Sequence, residues 1–162
     1  MLEPGDDAPT FTLDDQHGDP ISLRDGDAAY TVVYFYPRAD TPGCTAEACG
    51  FRDAWDAFET ADVRVLGISD DPVDDLAAFA AKHDLPFDLL SDPDGEVAAA
   101  YDSYGEKQLF GNTVEGTFRN TYVVDATGTV VLAYEGVSPE EHATEVLDDV
   151  AALDGDGTAV GR

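Results

Sequence analysis

The chain carries two thiols, Cys44 and Cys49, and no other cysteine. In an intracellular protein such a pair points to redox catalysis or metal binding before it points to a structural staple. Cys44 follows Thr41, Pro42 and Gly43 and stands where a helical pattern begins. At a helix start the first N–H groups lack intrahelical acceptors, and the positive end of the dipole is exposed. Both effects favour a thiolate, so Cys44 is expected to ionise below the free-thiol value of roughly 8.5 and to act as a nucleophile. Cys49 lies five residues on. Such positions on an ideal helix are about 8.7 Å apart between Cα atoms, whereas a disulfide needs less than about 7 Å. A Cys44–Cys49 bond therefore requires the first turns to unwind, which suits a bond made and broken transiently. Two plainer readings stand beside this one. Cys49 also fits a small apolar residue on the helix's buried face. A zinc site is the weaker fit, because His17, His83 and His142 are scattered without ligand spacing and read as surface or helix residues.

These groups need a scaffold. Residues 30–36, Tyr-Thr-Val-Val-Tyr-Phe-Tyr, are β-branched, aromatic and nearly all apolar, as in a central strand buried on both faces. Pro37 ends it. A loop over residues 38–43 leads to a helix over 44–60, with Phe51, Trp55 and Phe58 spaced for one face. Residues 63–68 form the next strand, and a strand–helix–strand unit of this kind gives parallel strands. Pro72 suits the first turn of a helix running to His83. Residues 87–90 read as a short strand, 91–95 as a turn and 96–101 as a short helix. The stretch 102–116 has no clear period and reads as loop. Strands over 117–124 and 129–134 flank Asp125-Ala126-Thr127-Gly128, the signature of an antiparallel hairpin. Ser138 suits the N-cap and Pro139 the first position of a last helix ending at Leu153. At the front, residues 8–13 alternate apolar and polar, and 21–23 can return as a second short strand after the turn 16–19. The expected fold is a single α/β domain over 1–153 with a mixed central β-sheet flanked by helices and an N-terminal short hairpin. Residues 154–162 read as a flexible, Gly-rich C-terminal tail. Phe51, Trp55, Phe58 and Phe79 read as core.

Composition narrows the function classes. A chain of 162 residues with 43% hydrophobic residues can bury roughly 70% of its unfolded surface without a staple. Lys plus Arg number 8 against 35 Asp plus Glu, a net charge of −27. That balance excludes a generic phosphate-backbone binder and argues against adhesion to anionic membranes. No apolar run is long enough for a transmembrane helix, and the N-terminus lacks the regions of a signal peptide. A soluble, cytoplasmic protein is expected. Charge this dense repels itself in dilute salt and is screened at about 1 M salt, where the Debye length is roughly 3 Å. A halophilic, salt-adapted origin follows as an expectation, with an acidic docking face as the other reading.

Residues 36–49, Tyr-Pro-Arg-Ala-Asp-Thr-Pro-Gly-Cys-Thr-Ala-Glu-Ala-Cys, closely resemble the active-site segment of peroxiredoxins. The subfamily they resemble is that of the bacterioferritin-comigratory protein, or peroxiredoxin Q. Residues 5–13, 67–69 and 85–95 are similar to its opening and middle, and Arg119-Asn120-Thr121-Tyr122 to its late arginine-bearing strand. The resemblance implies a thioredoxin-like fold and a peroxidase that works without a cofactor or metal. It casts Cys44 as the peroxidatic cysteine, Cys49 as the resolving cysteine, and Thr41 as the hydroxyl that hydrogen-bonds thiolate and peroxide. By the same resemblance Pro37 matches the proline that shields the site and Arg119 the arginine that activates it. It further implies an antioxidant peroxidase of the atypical two-cysteine type, acting on hydrogen peroxide and organic hydroperoxides. A transient intramolecular disulfide would be recycled by thioredoxin or a similar dithiol donor, with the protein a monomer or weak homodimer.

Read from residues alone, Arg119 also fits a surface ion pair and Thr41 a helix N-cap. Glu47, in the first turn of the expected helix, suits the helix dipole; a role near the site stays open for it, as does a place on the rim of the site for residues 104–112. A thioredoxin-like dithiol oxidoreductase is a second function class, better served by two residues between the cysteines than by four. An acidic binding module with incidental cysteines is a third.

Overall fold

The computed structural model describes residues 2–23, 28–36, 42–109, 111–135 and 142–159, with side chains at 42–44, 107–109, 112–115 and 154–159 left aside. Its elements run β1 (Thr12–Asp15), β2 (Pro20–Ser22), β3 (Tyr30–Phe35), α1 (Pro42–Asp53), α2 (Trp55–Thr60), β4 (Val63–Ser69) and α3 (Val73–His83). There follow β5 (Asp88–Ser91), α4 (Glu96–Ala100), β6 (Tyr104–Leu109), β7 (Asn112–Thr117), β8 (Thr121–Asp125), β9 (Val130–Tyr134) and α5 (His142–Ala159).

Seven strands form one mixed sheet in the order β2-β1-β5-β4-β3-β8-β9. Its centre is parallel: β3 pairs with β4 from Tyr30↔Val63 to Phe35↔Ile68, and β4 with β5 from Leu66↔Asp88 to Ser69↔Ser91. The flanks are antiparallel: β8 on β3, β9 on β8, β1 on β5, and the N-terminal hairpin β1–β2. The expected α/β domain with a mixed sheet is therefore present.

Strand periodicity explains the two cores. Successive residues of β3 point to opposite faces. Val32, Tyr34 and Tyr36 enter one cluster with Phe51, Phe58, Leu76, Phe79 and Val146, residues of α1, α2, α3 and α5. Val33 and Phe35 enter the other with Ala98, Tyr101, Tyr122 and Phe11. A strand buried on both faces reads as a near-continuous apolar run, as 30–36 does but for Thr31. On the first face Tyr34 lies across β4 at Gly67, where an added Cβ would stand 2.7 Å from the tyrosine ring. Any larger residue there would displace Tyr34.

Four details differ from the sequence expectation. The helix expected over 44–60 is two helices, broken at Ala54 (φ −97°, ψ 9°). Trp55 follows the break and is only partly buried, packing its ring 5.9 Å from Phe87. The stretch 102–116 is not loop: β6 and β7 pair as a hairpin from Tyr104↔Thr117 to Leu109↔Asn112. Gly111 at φ +81° supplies the left-handed residue that its tight turn needs. The last helix continues to Ala159, six residues past its expected end at Leu153. Ser138 and Pro139 lie outside the described residues. No helix among the described residues is long and apolar enough to cross a membrane.

Candidate active site

The site gathers at the carboxyl end of β3, the end at which open α/β sheets bind their ligands. The Phe35 amide donates to the Asn120 carbonyl (2.8 Å), and the Tyr36 amide to the Ile68 carbonyl (3.1 Å). The first bond holds residues 118–120, the link between β7 and β8, against the end of β3. The link is tied from its other side as well. The Phe118 amide donates to the Ser103 carbonyl at 2.7 Å, and the Asn120 side-chain amide to Ser103 Oγ at 3.1 Å. Arg119 sits in the middle of this fixed link.

Arg119 reaches α1. Its Nη1 donates to Glu47 Oε1 at 2.8 Å, with the arginine side chain 19% exposed and the glutamate 0%. An ion pair so placed is not the surface pair that an acidic protein would offer anywhere. Burial pushes the Glu47 carboxyl up to about 7, against a lowering pull from the Arg119 charge and its hydrogen bond. Glu47 Oε2 has no hydrogen-bond partner among the described residues. Leaving such an oxygen dry is costly for a carboxylate and much less so for a neutral carboxyl. Glu47 therefore shares its proton with the solvent near neutrality, and its charge state sets how tightly Arg119 is held.

α1 is seated by Phe51, one turn beyond Glu47. Its ring stacks on Tyr34 (4.9 Å) and meets Phe58 (5.4 Å), Phe87 (6.2 Å) and His142 (5.8 Å). His142 closes the cluster from the start of α5. Its Nε2 lies 2.8 Å from Thr121 Oγ1 and its Nδ1 3.3 Å from Glu145 Oε1. Burial holds this imidazole below its ordinary value, with Glu145 pulling the other way. His142 is a helix residue, as expected, but a buried one, and it bridges α5 to the first residue of β8. His17 is exposed on a turn, and His83 is half-buried at the end of α3.

Of the residues expected at the site, Cys44 is the third residue of α1, in its first turn, and its side chain lies outside the described residues. Thr41 and Pro37 lie outside them too. Cys49 is a half-buried free thiol on the same unbroken helix. Arg119 is brought to that helix from 72 residues away. Two buried polar residues were not assigned to the site from the sequence: Glu47, placed in the first helical turn with a role near the site left open but found in the second turn of α1, and His142. A signal for each exists. Glu47 stands one turn before Phe51, on the buried stripe rather than the polar face, and His142 precedes Val146 and Val150 at spacings of four. A charged or polar residue on an apolar stripe is informative because its burial needs a partner.

The AhpC/TSA family model matches residues 4–133. A putative peroxiredoxin of Mycobacterium tuberculosis is 48% identical over 150 residues, covering 93% of this chain and 96% of the relative. This chain belongs to the AhpC/TSA family. It is a peroxiredoxin of the bacterioferritin-comigratory, or peroxiredoxin Q, type, and its activity is the thiol-dependent reduction of peroxides. Among solved structures, peroxidoxin BcpB of Mycobacterium tuberculosis superposes with a TM-score of 0.85 at 35% identity, over 94% of this chain and 99% of that one. The bacterioferritin comigratory protein of Xanthomonas campestris, described for its alkyl peroxide reduction activity, gives 0.83 at 34% identity, covering 88% and 91%. The thioredoxin-like fold of this peroxiredoxin agrees with theirs. The Glu47–Arg119 pair thus links the helix that carries both cysteines to the arginine segment ahead of β8.

Proposed function

We propose that Cys44 is the peroxidatic nucleophile and Cys49 the thiol that resolves it, within one chain. The observation that carries this reading is the buried Arg119–Glu47 contact, which ties a permanently charged guanidinium to the helix whose first turn holds Cys44. The Cys44 thiolate attacks one peroxide oxygen, the O–O bond breaks, and the distal oxygen leaves as water or alcohol. Negative charge grows on that oxygen, and a fixed fork of N–H donors at Arg119 suits it. Thr41 contributes a hydroxyl hydrogen bond to thiolate and peroxide, and Pro37 keeps water from the reacting sulfur. The resulting sulfenic acid condenses with Cys49 to a disulfide. α1 is continuous from Pro42 to Asp53, so its first turns unwind to bring the sulfurs together. A thioredoxin-like dithiol donor then reduces the bond. Hydrogen peroxide and organic hydroperoxides are both substrates in this reading, and the Xanthomonas relative's alkyl peroxide activity supports the second class. Resolution within one chain needs no partner subunit, in keeping with a monomer or weak homodimer.

Cys49→Ser tests the division of labour. The variant is expected to consume one equivalent of hydrogen peroxide at the wild-type rate, then to stop, and to accumulate over-oxidised Cys44 under excess peroxide. Steady-state turnover with a dithiol protein donor, followed alongside intact mass, is the readout. Full turnover would remove Cys49 from the cycle.

The charge supports a place of action for this reading. A net charge of −27 on 162 residues fits a salt-rich cytoplasm, where the repulsion is screened. Thermal melting in a KCl series is expected to show Tm rising steadily from low to molar salt. A flat or falling Tm would overturn the halophilic assignment and leave the acidic surface to be explained by a basic partner.

A further inference from the structure

α5 enters the fold with a polar residue on an apolar stripe. His142, Val146 and Val150 follow one another at spacings of four, and all three are buried. Val146 and Val150 join the core beneath α1, whereas His142 turns both ring nitrogens to polar partners. The Glu145 carboxylate can only accept, so the neutral ring carries its proton on Nδ1, and Nε2 accepts from the Thr121 hydroxyl at 2.8 Å. Thr121 is itself fully buried, its backbone held between Tyr34 of β3 and Tyr134 of β9. A leucine would fill the same place on the stripe and leave that hydroxyl without its acceptor.

The same ring meets α1. It stands edge-on to Phe51 at 5.8 Å and to Tyr134 at 5.1 Å. The neighbouring Ala143 lies against α1 at Gly50, where an added Cβ would be 3.7 Å from the alanine Cβ. Arg119 and Thr121 are two residues apart and both reach the helix side of the sheet, Arg119 to Glu47 and Thr121 to His142. On α1, Glu47 and Phe51 are one turn apart. Two rungs therefore run side by side to α1: Arg119–Glu47 directly, and Thr121–His142–Phe51 by way of α5. The length of the second sets the separation across which the first is made.

On the reading that Arg119 stabilises the breaking peroxide, we propose that His142 is a positioning residue for Arg119. Its bond to Thr121 and its contact with Phe51 fix the start of β8 against α1, so that the guanidinium stands at a set distance from the helix that carries Cys44. A preorganised donor is effective where the charge develops, and a misplacement of about 1 Å made far from the reacting atoms can cost about a hundredfold in rate. Loss of the Thr121–His142 bond leaves the donors of Arg119 intact and loosens their placement. Phe35 and Ser103 also tie the arginine link, so the expected cost is smaller, about tenfold.

Three variants isolate the bond. His142→Leu keeps apolar volume without it. Thr121→Val removes the hydroxyl from the other side at nearly constant shape. His142→Gln ends in an amide near the place of Nε2. Stopped-flow measurement of hydrogen peroxide consumption in a single turnover, in molar KCl and below the Tm of every protein, gives the second-order rate. His142→Leu and Thr121→Val are each expected to be about tenfold slower than the wild type, the double variant no slower than either, and His142→Gln within threefold of the wild type. The decisive comparison is made in Arg119→Met protein. There His142→Leu should cost less than twofold in rate, because the group it positions is gone, while its effect on Tm should be the same in both backgrounds. A merely structural role would slow both backgrounds alike. That pattern overturns the proposal, as does a rate within twofold of the wild type for both His142→Leu and Thr121→Val, or a His142→Gln protein as slow as His142→Leu. Arg119→Met alone tests the reading beneath it. If that variant reacts within threefold of the wild type, Arg119 does not act on the peroxide and both fall together. If it is slow and His142→Leu is not, the proposal alone falls.

Discussion

Cys44→Ser is expected to abolish peroxidase activity, lowering the rate of reaction with hydrogen peroxide by at least about 10⁴-fold. The physical reason is the nucleophile itself. The unpaired N–H groups and dipole at a helix start shift a thiol toward thiolate, whereas a serine hydroxyl stays protonated and attacks peroxide negligibly. Oxygen for sulfur is close in volume, and the seat of α1 is made elsewhere, by Phe51, Ala48 and the Glu47–Arg119 contact. The variant should therefore keep its far-ultraviolet spectrum and its Tm. The remaining thiol, Cys49, is half-buried five residues along the helix, past its first turn, and is expected to react only slowly. Stopped-flow measurement of peroxide consumption, with circular dichroism as the control for folding, reads the result. A folded Cys44→Ser protein that consumes peroxide within tenfold of the wild type would overturn the assignment and move the chemistry to Cys49.

Arg119→Met is expected to lower the second-order rate with peroxide by about 10²- to 10³-fold, the usual cost of removing a fixed donor from developing negative charge. Arg119→Lys should recover little, because an ammonium cannot reproduce the fork. Activity within threefold of the wild type would reduce Arg119 to an ion-pair partner. The pair also sets a pH dependence of stability. Burial raises the Glu47 carboxyl from 4.5 to about 7, with Arg119 opposing. A carboxyl with a raised folded value binds its proton more tightly in the folded chain. Its contribution to stability is thus complete below about 4.5 and is lost as pH rises through 7. The loss across that window is about 3 kcal/mol from this group alone. Glu47→Gln keeps an acceptor for Arg119 and removes the proton, so its Tm should overtake that of the wild type between pH 5 and pH 8 at constant salt. Parallel Tm–pH curves for the two proteins would show that Glu47 titrates as an ordinary carboxyl.

The elements that the chain announces are those whose stabilisation is local or repetitive. The run 30–36 reads as a strand covered on both faces, because all but one of its residues are apolar and nearly all of them must leave water. The turn at 125–128 between two β-branched runs can only close a hairpin. The helix start before Cys44 is written in Thr41, Pro42 and Gly43 and in the apolar spacing that follows. Each is decided by near neighbours and by the period of a face. The hairpin β6–β7 escaped for the same reason. Gly105 and Gly116 oppose each other in its register and leave little apolar alternation to read, so its strands exist by pairing with each other. The break at Ala54 escaped as well, since no glycine or proline marks it.

The sequence by itself determined the chemistry this protein carries: two thiols at a spacing that forbids a disulfide on an intact helix, the first of them at a helix start. It also determined the surface charge in which that chemistry operates. The tertiary structure alone decided what surrounds those thiols. Arg119 meets Glu47 across 72 residues because β8 pairs with the end of β3, and His142 meets Phe51 because α5 folds back over α1. No local rule connects such partners. A buried charge is tolerable only where the fold delivers its counterpart, and that delivery depends on strand order and register rather than on the identity of any neighbouring residue.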